Sequence, residues 1–137
     1  STTGFIGGGY LNTVSGTNDA VVAGGSTNTA SGNKAAILGG QGNTASGVAS
    51  IVGGGCANTA SGYRAFVGGG NGNNASNNYS TIGGGINNVS CANVSTVAGG
   101  NANTASGDHS TVAGGISNTA SGCRSTVAGG FGNTASG

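Results

Sequence analysis

Few residues of this 137-residue chain could carry out chemistry, and the most suggestive are Asp108 and His109, which are adjacent. An acid beside an imidazole could move a proton, but a hydrolase also needs a nucleophile against the base and a third group that orients the base. The chain has one His, two Asp and no Glu, and adjacent turn residues in water lack such an orienting group. We therefore predict that the protein is not an enzyme and binds no cofactor.

Phosphate and metal sites are also not indicated. Glycine runs such as 53–55 resemble phosphate loops, but no GxxxxGK[ST] motif follows them and no helix start is evident. Calcium-binding β-roll repeats need an Asp in every turn, and this chain has only Asp19 and Asp108. The three cysteines show neither a CxxC motif nor zinc spacing, and their odd number leaves at least one thiol free or paired between chains. They are Cys56, Cys91 and Cys123.

Composition excludes several further classes. Glycine supplies 33 residues and charged residues only 4%, far from the usual proportions of a globular domain. The net charge of +1 argues against a nucleic-acid partner, which needs clustered Lys and Arg. Apolar runs are too short for membrane insertion, and glycine has no third-residue period, which excludes collagen. A repeat architecture or a low-complexity disordered chain remains.

The asparagine that opens the motif NTASG and its variants defines the repeat. Consecutive copies are 16 residues apart once and 15 apart seven times. A period this short and this regular predicts a single domain over 1–137, either by itself or as one segment of a longer fibre. This asparagine column comprises Asn12, Asn28, Asn43, Asn58, Asn73, Asn88, Asn103, Asn118 and Asn133.

A second column is always Val or Ile, and the residue two positions earlier is always Gly, Ala or Ser. This period of two predicts a strand with one buried face. The Val/Ile column is the predicted core ladder, which comprises Ile6, Val22, Ile37, Val52, Val67, Ile82, Val97, Val112 and Val127.

The column between these two faces the opposite way. It is mostly apolar in the first five repeats and Thr in the last four, and we predict that it forms a face between chains. The residues assigned to that face are Phe5, Val21, Ile51, Phe66, Thr96, Thr111 and Thr126.

Each repeat therefore has two short strands, the second being NTAS with its third residue inside, and two turns. The first turn contains the GG pair, and the second follows the Gly after NTAS. Gly, and to a lesser extent Asn, can adopt the positive φ angles of such turns. All five charged residues and the only His lie in the second turn, so we expect that turn to face water. The charged residues are Asp19, Lys34, Arg64, Asp108 and Arg124.

One such unit cannot bury its own apolar face, so the copies must stack. Nine repeats at the strand spacing give a parallel β-solenoid about 40 Å long, with each column forming a ladder. The core is thin, since one Val or Ile faces mainly Ala and Ser. Thin cores usually need further burial, which favours packing into an oligomer.

The segments YSTIGGGINN (79–88), STVAGG (95–100, 110–115, 125–130) and NTASG resemble the head repeats of trimeric autotransporter adhesins. The resemblance is to YadA-like and Moraxella ubiquitous surface protein heads and covers essentially the whole chain. It implies a left-handed parallel β-roll and a trimer. It also implies an adhesive, extracellular role, with matrix proteins or another surface as ligand. The charge is lower than is usual in that family, and the chain contains no neck, coiled-coil stalk or membrane anchor.

Two alternatives remain open. Residues 133–137 continue into residues 1–9 as one more repeat, with a step of 16 between asparagines. Head-to-tail stacking into a filament, or a virion or phage fibre, would use this continuity, because neither end shows a polar cap. The second alternative is ice binding, since outward Thr and Ser alternate in most NTAS segments as in Thr104 and Ser106.

Four Asn-x-Ser glycosylation sequons also occur, as Asn-rich turns can produce by chance. They begin at Asn74, Asn78, Asn88 and Asn93.

Overall fold

The computed structural model describes residues 3–137 and shows within them eighteen short strands and no helix. Two strands belong to each repeat, which is called a coil below and numbered one to nine. The odd-numbered strands are β1 Gly4–Ile6, β3 Ala20–Val22, β5 Ala36–Ile37, β7 Ile51–Val52, β9 Phe66–Val67, β11 Thr81–Ile82, β13 Thr96–Val97, β15 Thr111–Val112 and β17 Thr126–Val127. The even-numbered strands are β2 Thr13–Val14, β4 Thr29–Ala30, β6 Thr44–Ala45, β8 Thr59–Ala60, β10 Asn74–Ala75, β12 Val89–Ser90, β14 Thr104–Ala105, β16 Thr119–Ala120 and β18 Thr134–Ala135.

The strands form two nine-stranded parallel sheets, which we call sheet one (odd strands) and sheet two (even strands). Each strand pairs with the same strand of the coils before and after it, and the register keeps like residues together, as in Val97 beside Val112 and Thr104 beside Thr119. The 16-residue step between coils one and two keeps this register, since Val14 pairs with Ala30. The predicted parallel β-solenoid of nine coils is confirmed.

The core lies between the two sheets, with Val or Ile from sheet one facing Ala from sheet two. Seven members of the predicted core ladder are fully buried, and Val127 in the last coil is 7% exposed. Ile6 differs from the expectation, because its side chain is 45% exposed. It belongs to the first coil, and within the described residues no coil covers it from below.

A third ladder, which the sequence analysis did not predict, runs through the first turn of each coil. After the GG pair, one residue makes a parallel bridge to the equivalent residue of the next coil, as Gln41 does to Cys56. The first turn is therefore not a free loop but a corner paired along the whole stack. This bridge column consists of Tyr10, Ser26, Gln41, Cys56, Asn71, Ile86, Asn101, Ile116 and Phe131.

The asparagine column lies just after the bridge column and points inward. From coil two to coil eight these side chains are fully buried. In coil five, the Asn73 side-chain N–H groups donate to the carbonyls of Gly69 (2.9 Å) and Gly85 (2.9 Å). Its Oδ1 accepts from the backbone N–H of Asn88 at 2.9 Å. The same pattern recurs along the stack and forms an asparagine ladder that links each coil to the next.

This geometry corrects the expected role of asparagine in the turns. None of the ladder asparagines has a positive φ; the residue before each of them does, as with Thr27 (55°) and Ala57 (54°). A second left-handed residue occurs in the second turn, as with Lys34 (57°). At both positions the peptide is reversed, so that the N–H donates to the preceding coil: Thr27 to Tyr10, for example, at 2.8 Å.

The second glycine of each GG pair makes room for the asparagine ladder. Gly100 has a φ of 91°, and a Cβ there would collide with the Gly115 carbonyl and the Asn103 amide nitrogen. Its neighbour Gly99 has open space around the corresponding position. The GG signature thus contains one glycine that the packing requires and one that it does not.

We predict that Asn73→Asp destabilises the fold by about 3 kcal/mol or more, because a carboxylate there loses both donated bonds and faces carbonyl oxygens in a buried site. The matched control is Asn74→Asp, one residue later on the exposed face, which should change the stability by less than about 0.5 kcal/mol. Chemical denaturation measures both variants. Equal effects from the two substitutions would contradict the role given to the asparagine ladder.

Gly100→Ala should destabilise the protein by about 3 kcal/mol, through backbone strain and the lost bonds of Asn103. Gly99→Ala should be tolerated or slightly stabilising, because Ala restricts the unfolded chain. Thermal unfolding followed by circular dichroism compares the two. A wild-type melting temperature for Gly100→Ala would show that the close approach is dispensable.

Candidate interaction surfaces

The chemistry-bearing residues do not converge. Asp108 and His109 are exposed, and Asp108 Oδ1 accepts a hydrogen bond from the Asn93 backbone N–H at 3.2 Å, so the carboxylate supports a turn. Among residues 3–137, no three His, Cys, Asp or Glu side chains lie close enough together to hold a metal ion. The same residues include no helix long and apolar enough to cross a bilayer. What the coils present is a set of outer surfaces.

The outer face of sheet one has an apolar half and a hydroxyl half. In coils one to five the register stacks the apolar side chains that we call the apolar stripe: Phe5 (58% exposed), Val21 (half-buried), Ile51 (39%) and Phe66 (40%). The Phe66 ring lies close to Gly68 in the same coil. In coils six to nine the same column is Thr81, Thr96, Thr111 and Thr126.

The outer face of sheet two carries the predicted hydroxyl columns. Thr residues of neighbouring coils pair directly, as Thr44 does with Thr59, and they are half-buried in the inner coils. Asn74 and Val89 replace Thr in coils five and six. The threonine column is therefore split into two blocks, one in coils one to four and one in coils seven to nine.

The second turns form an exposed edge along the rod, and all five charged residues lie on it, as predicted. At its centre the rings of Tyr63 and Tyr79 meet edge to face, with centroids 5.5 Å apart. The Arg64 guanidinium lies 5.0 Å from the centroid of Tyr63. The column pattern did not predict this tyrosine–arginine cluster, although the spacing of 16 between two tyrosines in a 15-residue period was a usable signal.

The thiols and sequons are placed differently by the fold. Cys56, Cys91 and Cys123 are free and exposed on three different columns. The Asn88 sequon begins in the asparagine ladder, where the side chain is fully buried and hydrogen-bonded, so its amide cannot be modified in the folded chain. Asn74 and Asn78 are exposed and Asn93 is half-buried.

The end coils carry complementary backbone groups. The carbonyls of Ile6, Gly9 and Asn12 accept no backbone hydrogen bond from residues 3–137, whereas their counterparts in coils two to nine each accept one from the preceding coil. In coil nine the N–H groups that would continue the pattern have no acceptor within the same residues. These are the N–H groups of Ala128, Phe131 and Thr134.

The first coil also has an open concavity of about 370 Å³, lined by Ile6 and Val14 together with Ser15 and glycine backbone. In the later coils the preceding coil covers the corresponding side, and Val22, the counterpart of Ile6 in coil two, is fully buried. The end surface therefore combines unpaired acceptors with exposed apolar area.

One comparison with known proteins bears on these surfaces. Residues 125–137, the last coil, match the model of the ubiquitous surface protein adhesin repeat. No curated protein matches the chain. Repeats of this family are in general non-enzymatic. The resemblance found in the sequence is thus supported over a short stretch, and the chain carries an adhesin-type repeat of the ubiquitous surface protein kind, which indicates a surface-exposed module.

Proposed function

We propose that the protein is a stiff, non-enzymatic segment of an extracellular fibre at a cell or virion surface, built like the head of a trimeric adhesin. The observation that carries this proposal is the unbroken register of nine coils, together with the adhesin-repeat match in the last coil. A solenoid with an interior hydrogen-bonded from coil to coil makes a rod, and its outward columns are free to vary.

The apolar stripe favours an oligomer, and we propose a trimer with sheet one facing the partner chains. Phe5, Ile51 and Phe66 are each at least 39% exposed, and the register aligns them in one continuous strip. Soluble monomers rarely leave such a strip in water. In the trimer, sheet two and the second turns would stay outside and meet ligands such as matrix proteins.

The double substitution Ile51→Thr/Phe66→Thr tests this arrangement, because Thr occupies the same column in coils six to nine and is compatible with the fold. Sedimentation should give about three times the 12.5 kDa chain mass for the wild type and a monomer for the variant. Val89→Thr, which makes the same kind of exchange on sheet two, should remain trimeric. Binding to a panel of immobilised matrix proteins is the second readout and should weaken with loss of the trimer. A monomeric wild type would contradict the trimer. A wild type that is retained on none of the immobilised matrix proteins would contradict the adhesive role.

A second candidate function is a filament in which copies stack end to end. The complementary groups of the end coils support it: Ala128, Phe131 and Thr134 would donate to Ile6, Gly9 and Asn12 of the next copy, in the pattern used between all other coils. The join would also cover Ile6 and the adjacent concavity.

Electron microscopy of the 137-residue chain should then show rods whose lengths are multiples of about 40 Å. Ile6→Asp should shorten them to single units, because it places a charge in the join, whereas Thr13→Asp, on the exposed outer face of sheet two in the same coil, should leave the end join intact. Single units only, in the wild type at high concentration, would exclude the filament.

A further inference from the structure

We propose that the tyrosine–arginine cluster is a docking site for an acidic, extended polypeptide segment of a partner protein. This inference deepens the proposed function, because it names the partner chemistry of one surface, and it rests on that function only in requiring a surface that partners can reach.

The cluster is on the surface and is built from interacting groups. Tyr63 and Tyr79 are 38% and 45% exposed, and one ring presents its edge to the other. Arg64 lies against the Tyr63 ring, so the guanidinium and the two rings form one contact area. Tyr and Arg are the side chains most often found at the energetic centres of protein interfaces.

The fold does not need these residues. At the position of Tyr63 other coils have Asn33, Val48 or Asn93, and at the position of Arg64 they have Lys34 or Ala49. Arg64 and Tyr79 also adopt left-handed φ angles of 52° and 56°, which Gly or Asn adopts at lower cost. Neither the core nor the turn therefore explains an aromatic pair at this place.

Backbone N–H groups of the cluster form hydrogen bonds between successive turns. Tyr79 N–H donates to the carbonyl of Tyr63 at 2.8 Å, and Arg64 N–H donates to that of Val48 at 2.9 Å. Asn78 Oδ1 accepts from the N–H of Tyr63 at 3.3 Å. The backbone that carries the cluster is therefore already ordered, so association does not have to order these turns, which lowers its entropy cost.

The apolar surface continues along the rod beyond the cluster. Val48 in the turn before Tyr63 and Val94 in the turn after Tyr79 are both more than 40% exposed. Together these residues form a row across four consecutive turns, about 14 Å long at the spacing between coils. That length suits four or five residues of an extended segment at about 3.3 Å per residue.

Charge decides the kind of segment. The only acidic residues of the chain, Asp19 and Asp108, each lie three turns from Arg64, which is about 14 Å and beyond the screening length of about 8 Å in physiological salt. Lys34, two turns away, has the same sign as Arg64. The positive charge of the cluster is thus uncompensated, and the complementary ligand is a carboxylate that accepts two parallel N–H···O bonds from the guanidinium.

Selection from a library of random nine-residue peptides tests the proposal, with the folded wild-type chain as bait. The selected peptides should contain Asp or Glu among apolar residues. Replacing those acids by Asn or Gln should weaken binding at least about tenfold, measured by fluorescence anisotropy. Tyr63→Asn and Arg64→Ala, which copy residues of other coils and should fold, should cause a similar loss.

Arg124→Ala is the matched control, because Arg124 occupies the same turn position with a φ of 59° and has no aromatic contact; it should bind like the wild type. Three outcomes would overturn the proposal. The selected peptides could bind the Tyr63→Asn and Arg64→Ala variants as tightly as the wild type, or they could contain no acidic residue. The third is that the chain binds an oligogalacturonate, an acidic sugar chain, but no peptide. Oligomer mass and matrix retention are measured separately, so loss of either with peptide binding intact would count against the proposed function alone.

Discussion

The asparagine ladder is the interaction on which the rest of the structure depends. Each inner asparagine donates to two glycine carbonyls and accepts the N–H of the next asparagine, all within the buried corner. A polar group buried without such partners would cost about 1–3 kcal/mol, so each inner asparagine depends on the backbone carbonyl and N–H that the next coil supplies. The ladder also continues across the 16-residue step, where the Asn28 backbone N–H donates to Asn12 Oδ1 at 3.0 Å, because the extra residue lies in the second turn, away from the asparagine corner.

Because the ladder and the Val/Ile column take up the inside of every coil, variation between coils is confined to the outer columns. Phe66 and Thr111 occupy equivalent outward positions, as do Tyr63 and Asp108 in the second turns. The rod is thus a constant support for changing surfaces: an apolar stripe at one end of sheet one, hydroxyl columns elsewhere, and an aromatic cation cluster at mid-length. Such a design suits a fibre segment whose partners are met from the side.

The parallel solenoid, the two strands of each coil and the buried Val/Ile column could all be predicted from periodicity, because a repeat that is this regular leaves one way to align its columns. The bridge column could not, since its members range from Ser26 to Phe131 and share no chemical property. The burial of asparagine was also missed: Asn is a usual turn residue, and only the glycine carbonyls of two different coils make its inward position favourable. Ile6 was predicted to be buried but is exposed, because the repeat pattern does not reveal that a position lies in the outermost coil.

The candidate surfaces, like the fold, could be predicted from the sequence only in part. The sequence by itself determined which residues share a column, and so the existence of an apolar stripe and of a charged turn edge, because column membership is a matter of counting. Only the tertiary structure decided which columns touch. Tyr63 and Tyr79 lie in different columns and different coils; Tyr79 adopts a left-handed φ of 56°, and its ring meets that of Tyr63 across the spacing between coils. That contact depends on backbone angles and on stacking distance, neither of which is encoded in the identity of a single residue.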